Sequence, residues 1–269
     1  MLEGALNIAV KTARQAGQVI LRHLNRVGSI PVVEKERNDF VSEVDRAAEA
    51  EIVKELKRSY PRHAILAEEG GQMGSKDKRN QFTWVVDPLD GTHNYLRGFP
   101  HYAVSIALME AGEPKVGVVF DPLRNELFTA VRGRGTQLNE RRVRVANRPG
   151  LKDALLATGF PFRQRRHLDA HLAMTRALLV EQEAEDLRRT GSAALDLAYV
   201  ACGRVDGFYE FGLQPWDMAA GWLLVREAGG KLCDMRGGET FMKSGDVVAA
   251  NIKVSDAMVA AIAPHLGSL

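Results

Sequence analysis

Cysteine is nearly absent: Cys202 and Cys233 are the only two in 269 residues. Two thiols make no disulfide framework, so reduced thiols and a cytoplasmic location are expected. Long apolar runs are missing too. None approaches the roughly 20 residues of a membrane span. Glu3 stands early and the N-terminus lacks a signal-peptide pattern, so no secretory leader is expected. Charge of one sign is also lacking: 36 Lys and Arg against 34 Asp and Glu leave +2. That balance implies no global polyelectrolyte partner. The chain has no Gly-rich loop ending in Lys-Ser/Thr, no zinc-type Cys/His spacing and no serine in a nucleophile-elbow setting. Without an obvious covalent nucleophile, direct attack by water is favoured.

What is present is enough apolar content, 45% of the chain, for a substantial core. Residues 2–24 have helical spacing, with Leu6, Ala9, Ala13, Ala16 and Ile20 on one side and Lys11, Arg14, Gln18 and Arg22 largely opposite. Ser42 and Asp45 are spaced as a capping box for a second helix through Lys57. Strands are expected at 63–67, 84–86, 104–109, 115–120 and 126–131, so the first half predicts two helices on one antiparallel or mixed sheet. Segment 70–81 is almost wholly polar and is expected to be an exposed, mobile loop. The second half alternates strands and helices. Its last helix is expected over 257–266 with Ser255 as cap. The expected organisation is one compact catalytic unit of two halves, 1–140 and 141–269.

The chain is organised around Trp84-Val85-Val86-Asp87-Pro88-Leu89-Asp90-Gly91-Thr92. Three apolar residues predict a buried strand. Pro88 lacks an N–H, so the strand is expected to stop at Asp87 and turn. Gly91 permits a tight turn, and Thr92 is a good N-cap for a short helix over 93–96. Two carboxylates would then stand beside a helix N-terminus. Carboxylates suit Mg²⁺ and helix N-termini suit phosphate. Glu68 repeats the pattern, an acid at a strand exit followed by Gly70-Gly71. Asp217 follows Pro215-Trp216 in the first turn of a helix, where the dipole alone would favour an acid. Asp45 is open in the same way: a first-turn acid, or a group that orients a water or hydroxyl. If Glu68, Asp87, Asp90 and Asp217 converge, two or more divalent cations are their natural counterions.

The Asp87–Thr92 motif, Pro215-Trp216-Asp217-Met218-Ala219-Ala220-Gly221 and Glu227-Ala228-Gly229-Gly230 resemble the inositol monophosphatase family. Residues 188–200 and 121–130 look especially like its bacterial SuhB-type members. The resemblance runs through nearly the whole chain. It implies a mixed α+β, layered αβαβα sandwich of the inositol monophosphatase/fructose-1,6-bisphosphatase type, usually a homodimer. It also implies a Mg²⁺-dependent, lithium-sensitive phosphatase acting on myo-inositol 1-phosphate through metal-activated water. By motif position, Glu68, Asp87 and the Leu89 carbonyl would hold one metal, and Asp87, Asp90 and Asp217 a second. Glu68 would also serve a weaker third ion. Thr92, hydrogen-bonded to Asp45, would orient water, with Glu68 also in the catalytic set. The N–H groups of Gly91 and Thr92 would bind phosphate. Asp90, Gly191, Ser192, Ala193, Glu210 and Asp217 would meet the inositol hydroxyls. His93 departs from the threonine of many relatives, and Ser192 from the threonine of some. Local hydrogen bonding at His93 is expected to differ with the chemistry retained.

Other substrates fit the same site, fructose 1,6-bisphosphate or a nucleotide 3′-phosphate among them. Either needs extra positive charge, which Arg163, Arg165 and Arg166 would supply. The SuhB-type resemblance also implies a role with RNA polymerase in antitermination on ribosomal RNA. The basic runs at 141–148, 163–167 and 188–189 fit either solvated faces or contacts with RNA or an acidic protein.

Overall fold

The computed structural model describes residues 2–24, 32–36, 39–74, 81–162 and 164–267; the side chains of 32–36 and 39–42 lie outside that description. The first half runs α1 (Leu2–His23), β1 (Val32–Glu36), β2 (Asp39–Ser42), α2 (Glu43–Ser59), β3 (Ala64–Ala67), β4 (Gly71–Met73), β5 (Phe82–Asp90), α3 (Thr92–Leu96), β6 (Ala103–Glu110), β7 (Glu113–Asp121), β8 (Glu126–Val131), β9 (Gly135–Leu138) and β10 (Arg141–Val143). The second runs β11 (Leu155–Thr158), α4 (Leu168–Arg176), β12 (Asp186–Arg188), α5 (Ala193–Ala201), β13 (Gly207–Glu210), α6 (Pro215–Glu227), β14 (Lys231–Cys233), α7 (Phe241–Ser244), β15 (Val247–Ala250) and α8 (Ile252–Ile262).

Strands β10-β9-β8-β7-β6-β5-β3-β4 form an eight-stranded mixed sheet, in which only β3 and β5 are parallel neighbours. Strands β12-β11-β13-β15-β14 form a five-stranded sheet. Alternation along each strand sorts side chains between layers. Trp84 and Val86 face α1 and α2 together with Ile106 and Val118. Val85, Ala107 and Val119 face the opposite way, onto α5 and α6. Ala157, Phe208 and Ala249 of the second sheet close on those same helices, while Leu156, Tyr209 and Val248 face α4 and α8. The layers are therefore α, β, α, β, α, as the family resemblance implies. Trp84 is fully buried; covering so large an apolar side chain is worth roughly 2–3 kcal/mol.

Several sequence expectations need correction. The strand does not stop at Pro88. It continues to Asp90 through a β-bulge, Asp87 pairing with Ser105 and Asp90 with Ala103, so three steps on β5 match two on β6. On its other side the ladder to β3 ends at Val86. Pro88 therefore sits where neither neighbour asks for an N–H. Segment 70–81 is not all loop: Gly71–Met73 pairs antiparallel with β3, and 75–80 lie outside the described residues. Ser255 does not cap the last helix. Asn251 does, accepting from Val254 N at 2.9 Å, and Ser255 is buried within α8. Ser42, the expected cap of α2, has its side chain outside the description. No helix among the described residues is long and apolar enough to cross a membrane.

Candidate metal centre and its cavity

The bulge of β5 sets two carboxylates at one end of the large sheet. Asp87 is buried, and its Oδ1 accepts from Leu89 N at 3.0 Å. Asp90 reaches across the layers to the start of α5. Its Oδ2 accepts from Ser192 Oγ at 2.5 Å and from Ala194 N at 2.8 Å. A third acid arrives from α6. Asp217 occupies the third position of that helix and its Oδ2 accepts from Gln214 N at 2.7 Å, half of a capping box. One carboxylate oxygen from each of Asp87, Asp90 and Asp217 lies within 4.8 Å of the others. Three of the four acids whose convergence the sequence left open therefore meet.

Glu68 joins from the exit of β3, where its N–H donates to Val86 O at 3.1 Å beside Asp87. The turn after it is tied to α2, Glu69 N donating to Glu49 Oε2 at 2.8 Å. Burial pushes the Asp87 carboxyl well above the carboxylate range, and the negative charges of Glu68, Asp90 and Asp217 push further. Burial, then Asp217, raises Asp90 to about 7, against the Ser192 hydroxyl and the N–H groups of Ala194 and Ala193. Acids gathered at this separation repel one another unless a cation or proton intervenes. Hard oxygen donors so placed fit a divalent cation such as Mg²⁺.

Thr92 corrects another expectation. Gly91, at φ +93°, is the cap of α3, and Thr92 is the first helical residue. A Cβ on Gly91 would meet His101 O at 3.0 Å, so both its angle and its space call for glycine. Thr92 Oγ1 turns instead toward the fully buried Asp45, lying 2.8 Å from Asp45 Oδ1 and 3.0 Å from Leu89 O. Both neighbours are acceptors, so the one hydroxyl hydrogen is used. Any further partner of Oγ1 must donate to it.

The acids open onto a cavity of about 400 Å³. Glu68, Asp87, Leu89, Asp90, Gly91, Thr92, Gly191, Ala193, Glu210 and Asp217 all line it. Ser192 takes part through its bond to Asp90. Burial, then the charge of Asp196, holds the Glu210 carboxyl well above its ordinary range, with Arg189 acting the other way. Sequence reasoning missed the opposite wall. Phe160, Phe162, Phe211 and Arg189 line it, with Asn94 and Arg97 nearer α3. Asn94 Nδ2 donates to His101 O at 2.8 Å and to Thr190 O at 2.9 Å, tying the Gly91 turn to the Gly191 turn. Its place two residues after Thr92 was the only signal. The extra positive charge expected from Arg165 and Arg166 is not at the cavity. Both are exposed elsewhere, Arg163 lies outside the described residues, and among the described residues the arginines that line the cavity are Arg97 and Arg189.

Residues 1–268 match the profile of the inositol monophosphatase family. The chain belongs to that family. It is 56% identical over 264 residues to a Xylella fastidiosa protein named Nus factor SuhB, covering 96% of this chain and 94% of that one. The crystal structure of extragenic suppressor protein suhB from Bartonella henselae superposes with a TM-score of 0.92 at 41% identity, over 99% of this chain and 100% of that one. An inositol monophosphatase from Anabaena gives 0.86 at 38% identity, over 98% and 96%. Inositol monophosphatases are in general metal-dependent phosphatases, and the acidic cluster of this family member sits where such a metal could bind.

Proposed function

We propose that the protein is a Mg²⁺-dependent phosphomonoesterase that hydrolyses myo-inositol 1-phosphate or a related polyol phosphate, as a cytoplasmic homodimer. The observation that carries this is the meeting of Asp87, Asp90 and Asp217 within 4.8 Å, beside a Thr92 hydroxyl bonded to Asp45. Glu68, Asp87 and the Leu89 carbonyl would hold one ion, Asp87, Asp90 and Asp217 a second, and Glu68 a weaker third. When bound, Mg²⁺ supplies Lewis-acid stabilisation of charge on the phosphate and on the departing oxygen. The chain's own residues do the rest. Thr92 Oγ1, its hydrogen committed to Asp45 or Leu89 O, accepts a hydrogen bond from the attacking water and so turns a lone pair of that water toward phosphorus. The N–H groups of Gly91 and Thr92 take phosphate oxygens. Asp90, Glu210 and Asp217, with the turn of Gly191, Ser192 and Ala193, meet the polyol hydroxyls.

The test is phosphate release from inositol 1-phosphate, fructose 1,6-bisphosphate and a nucleoside 3′-phosphate, with and without Mg²⁺ and Li⁺. Release should need Mg²⁺, be inhibited by Li⁺ and favour the inositol ester. Asp90→Asn should lower it on the order of a thousandfold with the fold intact. A near-normal Mg²⁺-dependent rate in that variant would sink the proposal.

The name of the Xylella relative, at 56% identity, favours a second role in antitermination with RNA polymerase. Under that reading, a chain carrying Asp90→Asn still supports ribosomal RNA transcription in cells lacking the native protein. Loss of that support ties the cellular role to catalysis.

A further inference from the structure

One acid of the cavity is held differently from the rest. Glu210 ends β13, is 8% exposed and lines the cavity. Asp87, Asp90 and Asp217 each accept a backbone N–H. Among the described residues the Glu210 carboxyl accepts none, and it makes no ion pair with Arg189, whose guanidinium lies over the Phe160 ring at 6.0 Å. Something else must fix where the carboxyl sits.

Strands β11 and β13 run parallel, with Thr158 beside Tyr209. Thr158 is fully buried and its hydroxyl donates to Tyr209 O at 2.6 Å, locking that register. The next residues along the chain are Gly159, just past the end of β11, and Glu210, the last of β13. A Cβ built on Gly159 would lie 2.1 Å from Glu210 Cδ, 2.1 Å from Oε1 and 2.2 Å from Oε2. The whole carboxyl group occupies the space that any other residue at 159 would fill.

We propose that Gly159 is a specificity-determining residue: its missing side chain is the slot that aims the Glu210 carboxyl at the leaving-group hydroxyls. The identity of those hydroxyls rests on the function proposed above; the slot itself rests on geometry. Two features separate this role from ordinary packing. Gly159 is not among the glycines with positive φ, so alanine meets no backbone strain there. The three nearest atoms in the way all belong to one flexible side chain. The fold therefore accepts alanine and the carboxyl moves. The metal-site acids, held by other bonds, stay in place.

The experiment compares Gly159→Ala, Glu210→Ala and the double variant, with calorimetric binding of inositol 1-phosphate in Mg²⁺ beside steady-state kinetics. Gly159→Ala should raise Kd and KM for inositol 1-phosphate about tenfold or more, the cost of one misplaced hydrogen-bonding group. Its kcat should change less than about threefold, because groups that act only on phosphorus are untouched. With p-nitrophenyl phosphate, which has no ring hydroxyls, kcat/KM should stay within about twofold. In the Glu210→Ala background, Gly159→Ala should add nothing. An unchanged Kd, equal losses on both substrates, or losses that multiply in the double variant would overturn the slot. Wild-type binding without phosphate release overturns the proposed hydrolysis and leaves the slot to be judged by Kd. Absence of binding by the wild type overturns the slot.

Discussion

The wall that carries Asp87, Asp90 and Asp217 is pinned by backbone N–H groups, whereas the wall that carries Phe160, Arg189 and Glu210 is held by ring packing and by a void. On the first wall every acid accepts at least one N–H, from Leu89, Ala194 or Gln214. The donors belong to a bulge or to helix starts, so carboxylate positions follow from the fold itself. On the second, Phe160 is 41% exposed and packs on His171 at 5.1 Å, while Glu210 sits where Gly159 has no side chain. The first wall suits reacting atoms that must be placed closely, and the second suits a leaving group that need only fit.

After loss of the proposed metal ligand Asp90, replacing a single oxygen beside the pinned wall should have the largest effect. Thr92→Val keeps the shape and loses the hydroxyl that lies between Asp45 and Leu89 O. Its kcat should fall about a hundredfold with KM within about threefold. Asp45, fully buried, would lose that donor, costing on the order of 1–3 kcal/mol of stability by denaturant melting. Thr92→Ser should recover most of both. A KM effect equal to the kcat effect would show that the hydroxyl serves binding, and the contrast between the walls would fail.

Metal removal sharpens the same contrast. Mg²⁺ at a hundred times its Kd should stabilise the wild type by about 2.7 kcal/mol, and a chelator should reverse this. Asp217→Asn should lose most of that gain, and Phe160→Ala should keep it. A thermal shift that Mg²⁺ moves equally in both variants would place the ion elsewhere.

The pinned wall was largely legible in the sequence; on the other wall only Glu210 was expected, through the family resemblance. Asp-Pro-Leu-Asp-Gly-Thr and Pro-Trp-Asp write backbone geometry directly, because proline and glycine restrict or free φ and acids at strand exits share one end of a sheet. Even there the bulge at Pro88 was invisible, since a strand's continuation depends on whether its neighbours need an N–H at that step. The cap of α3 was assigned to Thr92 by side-chain preference, and tertiary contact with Asp45 overrode it. The strands β4, β10 and β12, three residues each, are too short to carry a period of two. The second wall depends on directions. Arg188-Arg189 was a basic run like any other until Arg189 turned into the cavity, and Arg165 and Arg166, closer in sequence to Phe160, face away. Gly159 carried no signal at all, because its function is an absence.

The effect farthest from the reacting atoms lies behind the packed wall and reads out with pH. His171 is fully buried among Phe160, Tyr209 and Phe211, and neither ring nitrogen has a partner among the described residues. Burial, helped by the Arg189 charge, pushes its pKa down to about 4. The unfolded chain titrates this group near 6.5, so between those values the unfolded state binds a proton that the folded state refuses. The contribution of His171 to stability is therefore full above about 6.5, is lost as pH drops toward 4 and levels below. For His171 the loss is on the order of 2–3 kcal/mol. His101, also buried and pushed to about 4, contributes in the same direction. His171→Phe should gain stability relative to the wild type as pH drops from 6.5 to 4, measured by urea melting, while leaving the Mg²⁺-dependent shift at pH 7.5 unchanged. If the variant melts with the wild-type pH profile, His171 is charged in the fold, and the second wall then has an ionic anchor after all.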